Sequence, residues 1–306
     1  MIVRSKLNWF RMLFIWHGSV LSDILPQLLL VLGIASFVTW SHGRLFHHQV
    51  PLTVAPFTLL GVSLALFLGF RNSASYDRYW EGRKQWGALL NLTRSLVRQA
   101  LSLGGLEPSD PRMTEWVSLL TAFTHALRHQ LRHSDPKPDL DRLLSPDLSA
   151  EVLAARYRPA ILLTSLGRWV AARSREGRYG EMTATAFDHN LNGLSDVLGG
   201  CERLAGTPLP YPYSVMIHRT VYIYCFLLPF GLVGTLGVMT PVMSVLVAYT
   251  FMALEALAEE IEEPFGTLPN DLPLEEMSMM IEETLLEMAG KEIPESRSGP
   301  RKFVLL

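Results

Sequence analysis

The chain has 306 residues, of which 49% are hydrophobic and 18% charged, with two cysteines and a formal net charge of −2. Soluble domains carry about 25% charged residues, so the deficit points to lipid, and the near-zero net charge gives no electrostatic basis for binding nucleic acid. Cys201 and Cys225 stand far apart, which excludes a disulfide framework or a C-x-x-C redox pair.

Residues 1–22, "MIVRSKLNWFRMLFIWHGSV" and the two that follow, mix Arg11 and His17 into apolar sequence without a small-residue cleavage site. They read as an interfacial helix and not as a signal peptide. A spanning helix needs about 20 mostly apolar residues. Residues 24–41 and 52–70 qualify, with Pro26 and Pro56 expected in first turns. The uncharged run from Thr220 to Leu254 is too long for one span. "GVMTP" at 237–241 divides it into helices over 217–238 and 241–258, the first kinked at Pro229. Arg4, Lys6 and Arg11 precede the first span, and Arg71, Arg78, Arg83, Lys84, Arg94 and Arg98 follow the second, whereas the loop between them has only Arg44. The positive-inside rule then puts both termini and the middle region in the cytoplasm. The expected fold is an all-α protein of the cytoplasmic membrane. It has four spans (23–70 and 217–258), a cytoplasmic helical region over 71–216 and a C-terminal segment over 259–306 that lies on the bundle.

The second span carries two rows at i, i+4 spacing: Gly61, Ala65, Gly69 and Ser73, and beside it Val62, Leu66 and Phe70. Small residues let helix backbones approach in lipid. The apolar row is either a lipid-facing or core surface, or a ring of side chains around the axis of an oligomer, which gates ions by dewetting. The helix continues past Phe70 with no Gly-Pro break into "RNSASYDRYWEGRKQWG", as a pore wall carried inward would require. Asp77, Arg78, Glu81 and Lys84 are spaced to pair along that helix, or to face a vestibule. The acids Glu255, Glu259, Glu260, Glu262 and Glu263 close the fourth span as a negative belt, either on the permeation path or capped by Arg and Lys of a neighbouring subunit. "HALRHQLRH" sets His125, His129 and His133 at i, i+4, i+8. Neighbouring members of that row have zinc-ligand spacing, but no carboxylate neighbours them on that face and the segment is Arg-rich, so a solvated face is the expectation. His47 and His48 read as ordinary loop residues with metal binding or pH sensing as the alternative.

"GFRNSASYDRYWEGRKQWG", "GCERLAGTPLP" at 200–210 and "EEIEEPFGTLPNDLP" at 259–273 closely resemble the bestrophin family, specifically its bacterial branch. The likeness covers nearly the whole chain. It implies a homopentamer around one axial pore, with a neck at Val62, Leu66 and Phe70 and a second constriction among Thr183, Ala184 and Thr185. It implies passive conduction of small monovalent ions: eukaryotic members pass chloride, bacterial members resemble sodium-favouring cation channels. Asp77, Glu81, Glu259, Glu260 and Glu263 are the vestibule acids that would favour cations; Arg44 and Arg71 are the groups an anion channel would use. The family's calcium clasp is an acidic run after Pro-Phe-Gly. Here "TLPND" stands there, leaving Glu260, Glu263 and Asp271 as weak ligands, so no cofactor is expected.

No nucleophile elbow, phosphate loop, dinucleotide-binding glycine motif or paired Cys/His ligand set is present, and no enzyme activity is expected. The ionisable residues of the spans, His42 and His218 among them, lie at the margins, which disfavours a proton-coupled carrier. A non-conducting membrane scaffold is the remaining reading of another class. The tail "KEIPESRSGPRKFVLL" either wraps a neighbour or is disordered.

Overall fold

In the computed structural model, residues 8–12, 14–16, 18–42, 44–45, 48–49 and 52–293 are described. The helices are α1 (Trp9–Met12), α2 (Leu21–Trp40), α3 (Val54–Ser102), α4 (Pro111–Arg132), α5 (Lys137–Leu143), α6 (Pro146–Ala154), α7 (Arg158–Arg175), α8 (Glu181–Gly206), α9 (Tyr211–Leu236), α10 (Thr240–Glu262) and α11 (Leu274–Met288). Between α2 and α3 two short strands, β1 (Arg44–Leu45) and β2 (His48–Gln49), pair antiparallel with Arg44 opposite Gln49. The His47 position lies outside the described residues, as do the side chains of Arg44 and His48 and all of the tail beyond 293.

The chain divides into two compact units. Among the described residues, the apolar unit runs to Tyr79 and resumes over Pro208–Glu263; the other holds Trp80–Thr207 and residues 264–293. The 49-residue α3 contributes to both.

In the apolar unit, α2 buries Ile24, Leu28, Val31, Ala35 and Val38, one stripe at alternating steps of three and four. This stripe lies on α9 and α10, which also pack on each other. A straight rod from Tyr211 to Glu262 could not fold back in this way. The return is made at a single 3-10 turn, Gly237–Met239, where Gly237 has φ +52°, and Pro241 sits in the first turn of α10. Glycine tolerates that left-handed conformation without a Cβ clash. Three apolar helical stretches are long enough to cross a bilayer: α2, the first part of α3, and the α9–α10 pair.

Two local expectations are corrected. Helix α2 begins at Leu21, so Pro26 is inside the helix and not in its first turn. Ser19 receives the Leu21 N–H on its Oγ and so starts the helix earlier than the apolar run suggests. Of the expected interfacial helix over 1–22, only Trp9–Met12 is helical before Leu21 among the described residues. Its neighbours Phe14 and Trp16 are exposed along with Trp9, Phe10 and Met12.

In the other unit α4 is the central helix, packed by α5, α7, α8 and α11. Asp110 caps it by accepting from the Arg112 N–H (2.9 Å), and Pro111 occupies the first helical position. Every residue from Leu119 to Leu127 is buried, so this helix is enclosed all round. Trp116 stacks on Trp169 at 4.4 Å, and Phe187 meets the Trp116 edge at 5.7 Å. Trp116 also donates from Nε1 to the Leu96 carbonyl, which satisfies the one polar atom of a fully buried ring.

Candidate functional site

Helix α3 turns about 100° per residue, so its buried residues Phe57, Leu64, Leu68, Arg71 and Ser75 share one face. Val62, Leu66 and Phe70 lie on the opposite side. Leu64 and Leu68 are 3% and 0% exposed, whereas Val62, Leu66 and Phe70 are 60%, 59% and 67% exposed. The apolar row is therefore uncovered within the chain. Leu59, Ser73 and Asp77 extend the same uncovered face. The small row beside it is used unevenly. Gly61 receives the Tyr224 ring, whose hydroxyl would stand 2.8 Å from a Cβ there, while Gly69 faces open space.

Behind the row is an ion-pair cluster. Arg71, 3% exposed, donates from Nη1 to Glu255 Oε1 (3.3 Å) and from Nη2 to Glu262 Oε2 (3.5 Å). The same Glu255 oxygen accepts from His218 Nδ1 at 3.0 Å. Asn72 donates to the Leu254 carbonyl and Arg78 Nε to the Glu262 carbonyl, at 3.1 and 3.0 Å. Side chains of α3, α9 and α10 are thus tied at one level, one residue past Phe70.

This pairing corrects two expectations. Arg71 points into the packing and is matched by carboxylates, so it is not an exposed anion-attracting charge. The acidic belt is not one surface: Glu255 is buried, Glu262 is paired, Glu260 is half-buried, and only Glu259 and Glu263 are exposed. Asp77 is exposed, whereas Glu81 is half-buried and bonded to Arg203. The cause is a buried guanidinium, which requires carboxylates around it.

Thr183, Ala184 and Thr185 form the first turn of α8. Thr183 and Ala184 are half-buried, and Thr185 is exposed with its hydroxyl bonded to the Glu181 carbonyl. Ala184 and Thr185 line a groove of about 540 Å³ against α7. The exposed apolar residue of this turn is Met182, at 86%. Sequence reading missed it, although Met182 is the only large apolar side chain between Tyr179 and Phe187.

Of the residues 267–271 that follow Pro264-Phe265-Gly266, Asp271 is the one carboxylate. Asp271, 2% exposed, accepts the Leu268 N–H on Oδ2 (2.7 Å) and so closes its own turn. Among the described residues, no group of three or more His, Cys, Asp or Glu side chains is arranged to hold a metal ion. Glu260 and Glu263 belong to the apolar unit and Asp271 to the other.

The expected solvated histidine face is also overturned. His125 is 2% exposed, with Nε2 on Glu282 Oε2 at 2.7 Å. His129 Nε2 and Arg128 Nη2 share Asp139 Oδ2 (2.9 and 2.7 Å), and Arg142 grips both Glu282 oxygens. One carboxylate, Asp139, comes from the adjacent α5, and the other, Glu282, from α11, 157 residues beyond His125. The His129 hydrogen bond holds the Asp139 carboxyl well below the usual range. Burial pushes Glu282 up, but its bonds to His125 and Arg142 outweigh that and hold it at about 2.

Long apolar helices, an uncovered apolar row on one of them and buried charges tied behind that row define an all-helical membrane protein. Residues 1–287 match the family described as Bacterial/Fungal Bestrophin protein, and the chain belongs to that family. It is 52% identical over its whole length, and over the whole of the relative, to a voltage-dependent anion channel-forming protein of Ralstonia nicotianae. It is 43% identical, again with complete coverage of both chains, to a protein of that description from Escherichia coli. The crystal structure of a bacterial bestrophin homologue from Klebsiella pneumoniae superposes with a TM-score of 0.85 at 44% identity, covering 88% of this chain and 99% of that one.

Proposed function

We propose that the chain is a passive channel for small monovalent ions, assembled as a homopentamer with Val62, Leu66 and Phe70 as its neck. The observation that carries this reading is the exposure of that row on the face of α3 opposite its packed side. Three large apolar side chains left uncovered mark a surface completed by something outside the chain, and copies around an axis turn such a row into a dewetting constriction. Met182 is the apolar candidate for a second constriction, in place of Thr183, Ala184 and Thr185. In this reading the helix pairs cross the inner membrane four times with both termini in the cytoplasm, no metal cofactor is needed, and the chain is not an enzyme.

Anions are the favoured permeant class, supported by the description carried by the Ralstonia and Escherichia relatives. The cation preference expected from the acidic belt loses much of its basis, because Glu255 and Glu262 are occupied by Arg71. One observation still favours cations: Asp77 is an exposed carboxylate on the face that carries the neck row. The reversal potential of the purified protein in a planar bilayer under a sodium chloride gradient decides the sign. A value near the chloride equilibrium potential supports the anion reading; one near the sodium potential replaces it. No current, even with Leu66→Ala, leaves a membrane scaffold.

A further inference from the structure

We infer that Arg71, Glu255 and His218 form a clamp that holds the neck helix back from the axis and loosens when His218 takes up a proton. This rests on the neck reading above. The face of α3 that carries Arg71 is opposite the face that carries Leu66. Tension on the Arg71 side therefore draws the apolar row away from the uncovered side, and slack lets it advance.

Three features make the clamp adjustable. First, its Arg71 bonds, 3.3 and 3.5 Å, are at or beyond the long end of the hydrogen-bond range, and Arg71 Nε is buried without an acceptor. Second, Glu255 Oε1 is shared by two donors on different helices, Arg71 of α3 and His218 of α9. Third, His218 is reachable from solvent, with about half its side chain exposed, while Arg71 and Glu255 are at 3% and 5%.

His218 faces Glu255 of α10 and, 4.4 Å away on its own helix, the Tyr222 ring, which lies within reach of Glu259; Arg71 of α3 sits on the other side of Glu255 and is also held by Glu262 of α10. Tyr222 in turn bonds the neutral Gln27 of α2. As a neutral donor His218 leaves Glu255 to Arg71. As a cation it claims the same oxygen and repels the Arg71 guanidinium across it, in surroundings where screening is weak. Both effects release α3. Acidification therefore acts in the direction that removal of the Glu255 charge acts: a narrower neck and less current.

The test is conductance in planar bilayers at about pH 7.5 and about pH 5.5, the window in which an imidazole gains a proton. The wild-type conductance is expected to fall about threefold on acidification, and His218→Gln, which keeps a donor but cannot charge, is expected to abolish that fall. Glu255→Gln is expected to lower conductance about fivefold at both pH values, and Arg71→Lys to retain most of the wild-type current. An unaltered pH response in His218→Gln, or an unaltered current in Glu255→Gln while Leu66→Ala raises it, overturns the clamp and leaves the neck standing. If neither the wild type nor Leu66→Ala conducts, the channel reading has failed, and the clamp is judged by spin labels at Ser73→Cys on α3 and Leu257→Cys on α10 within one protomer. Their separation is expected to lengthen at about pH 5.5 in the wild-type background but not with His218→Gln. Equal separations at both pH values overturn it.

Discussion

Val62, Leu66 and Phe70 turn the same way because four residues make slightly more than one helical turn, and the interior of the apolar unit already has Leu64 and Leu68 on the other side of α3. Leu66, at the middle of the row, is where shortening should matter most. Leu66→Ala is expected to raise single-channel conductance at least about twofold, because it both widens the constriction and lowers the cost of wetting it. Single-channel recording measures this, and unchanged currents would show that the row lines no pore. Glu282 makes a different kind of prediction. Its folded-state value of about 2 lies below the ordinary 4.5. A carboxylate so depressed contributes stability that is fully present above its unfolded value and is lost as the pH falls toward 2. Melting temperature is expected to drop across that window. Glu282→Gln should remove this component of the drop and cost about 2 kcal/mol or more at neutral pH, since it strands His125 and Arg142; denaturation followed by circular dichroism reads both. The row itself was legible in the sequence because its spacing is local, whereas its role as a neck came from the resemblance. The histidine network was not: Glu282 is 157 residues from His125, and no periodicity within α4 points to it. The uncharged run from Thr121 to Ala126 was the available sign that this helix is enclosed.

At the scale of elements, α3 meets α9 closely at a glycine of α9. A Cβ at Gly231 would stand 2.5 Å from the Phe57 ring, closer than two carbons tolerate. Phe57 is 6% exposed and packs 6.0 Å from the Tyr224 ring, so it has little room to yield. Gly231→Ala is expected to destabilise the protein by about 1–3 kcal/mol, seen as a lower melting temperature in detergent, while Gly234→Ala, which faces open space, should be close to neutral. Element boundaries were read unevenly for a physical reason. The break between α9 and α10 was visible because Gly237 and Pro241 flank it. The start of α9 at Tyr211 was not, since His218 and Arg219 look like the margin of a span, although the helix passes through them. The continuity of α3 was legible from the absence of any Gly-Pro break between Leu64 and Gly87.

For the whole molecule, the uncovered row is covered either by lipid or by other copies of the chain. An oligomer is the economical cover, because copies around an axis bring identical rows together. Native mass measurement in detergent is expected to give about five times the 34.4 kDa chain mass, and Val62→Cys is expected to cross-link neighbouring protomers under oxidation. A monomeric mass with no cross-link would return the row to lipid. Pentameric assembly came from resemblance alone: no spacing within one chain encodes the number of copies.

The interleaving of the two units also sets a timetable. Helix α2 and the first part of α3 leave the ribosome well before α9 and α10, which cover them, and residues 80–207 of the other unit are made in between. At about 5–20 residues per second, that interval lasts roughly 6 to 26 seconds. Throughout it, Arg71 is already translated while Glu255 and Glu262 do not yet exist. The newborn chain therefore has to keep a cation at the edge of its second apolar helix waiting for partners nearly two hundred residues away, and the apolar unit can close only when synthesis is almost over.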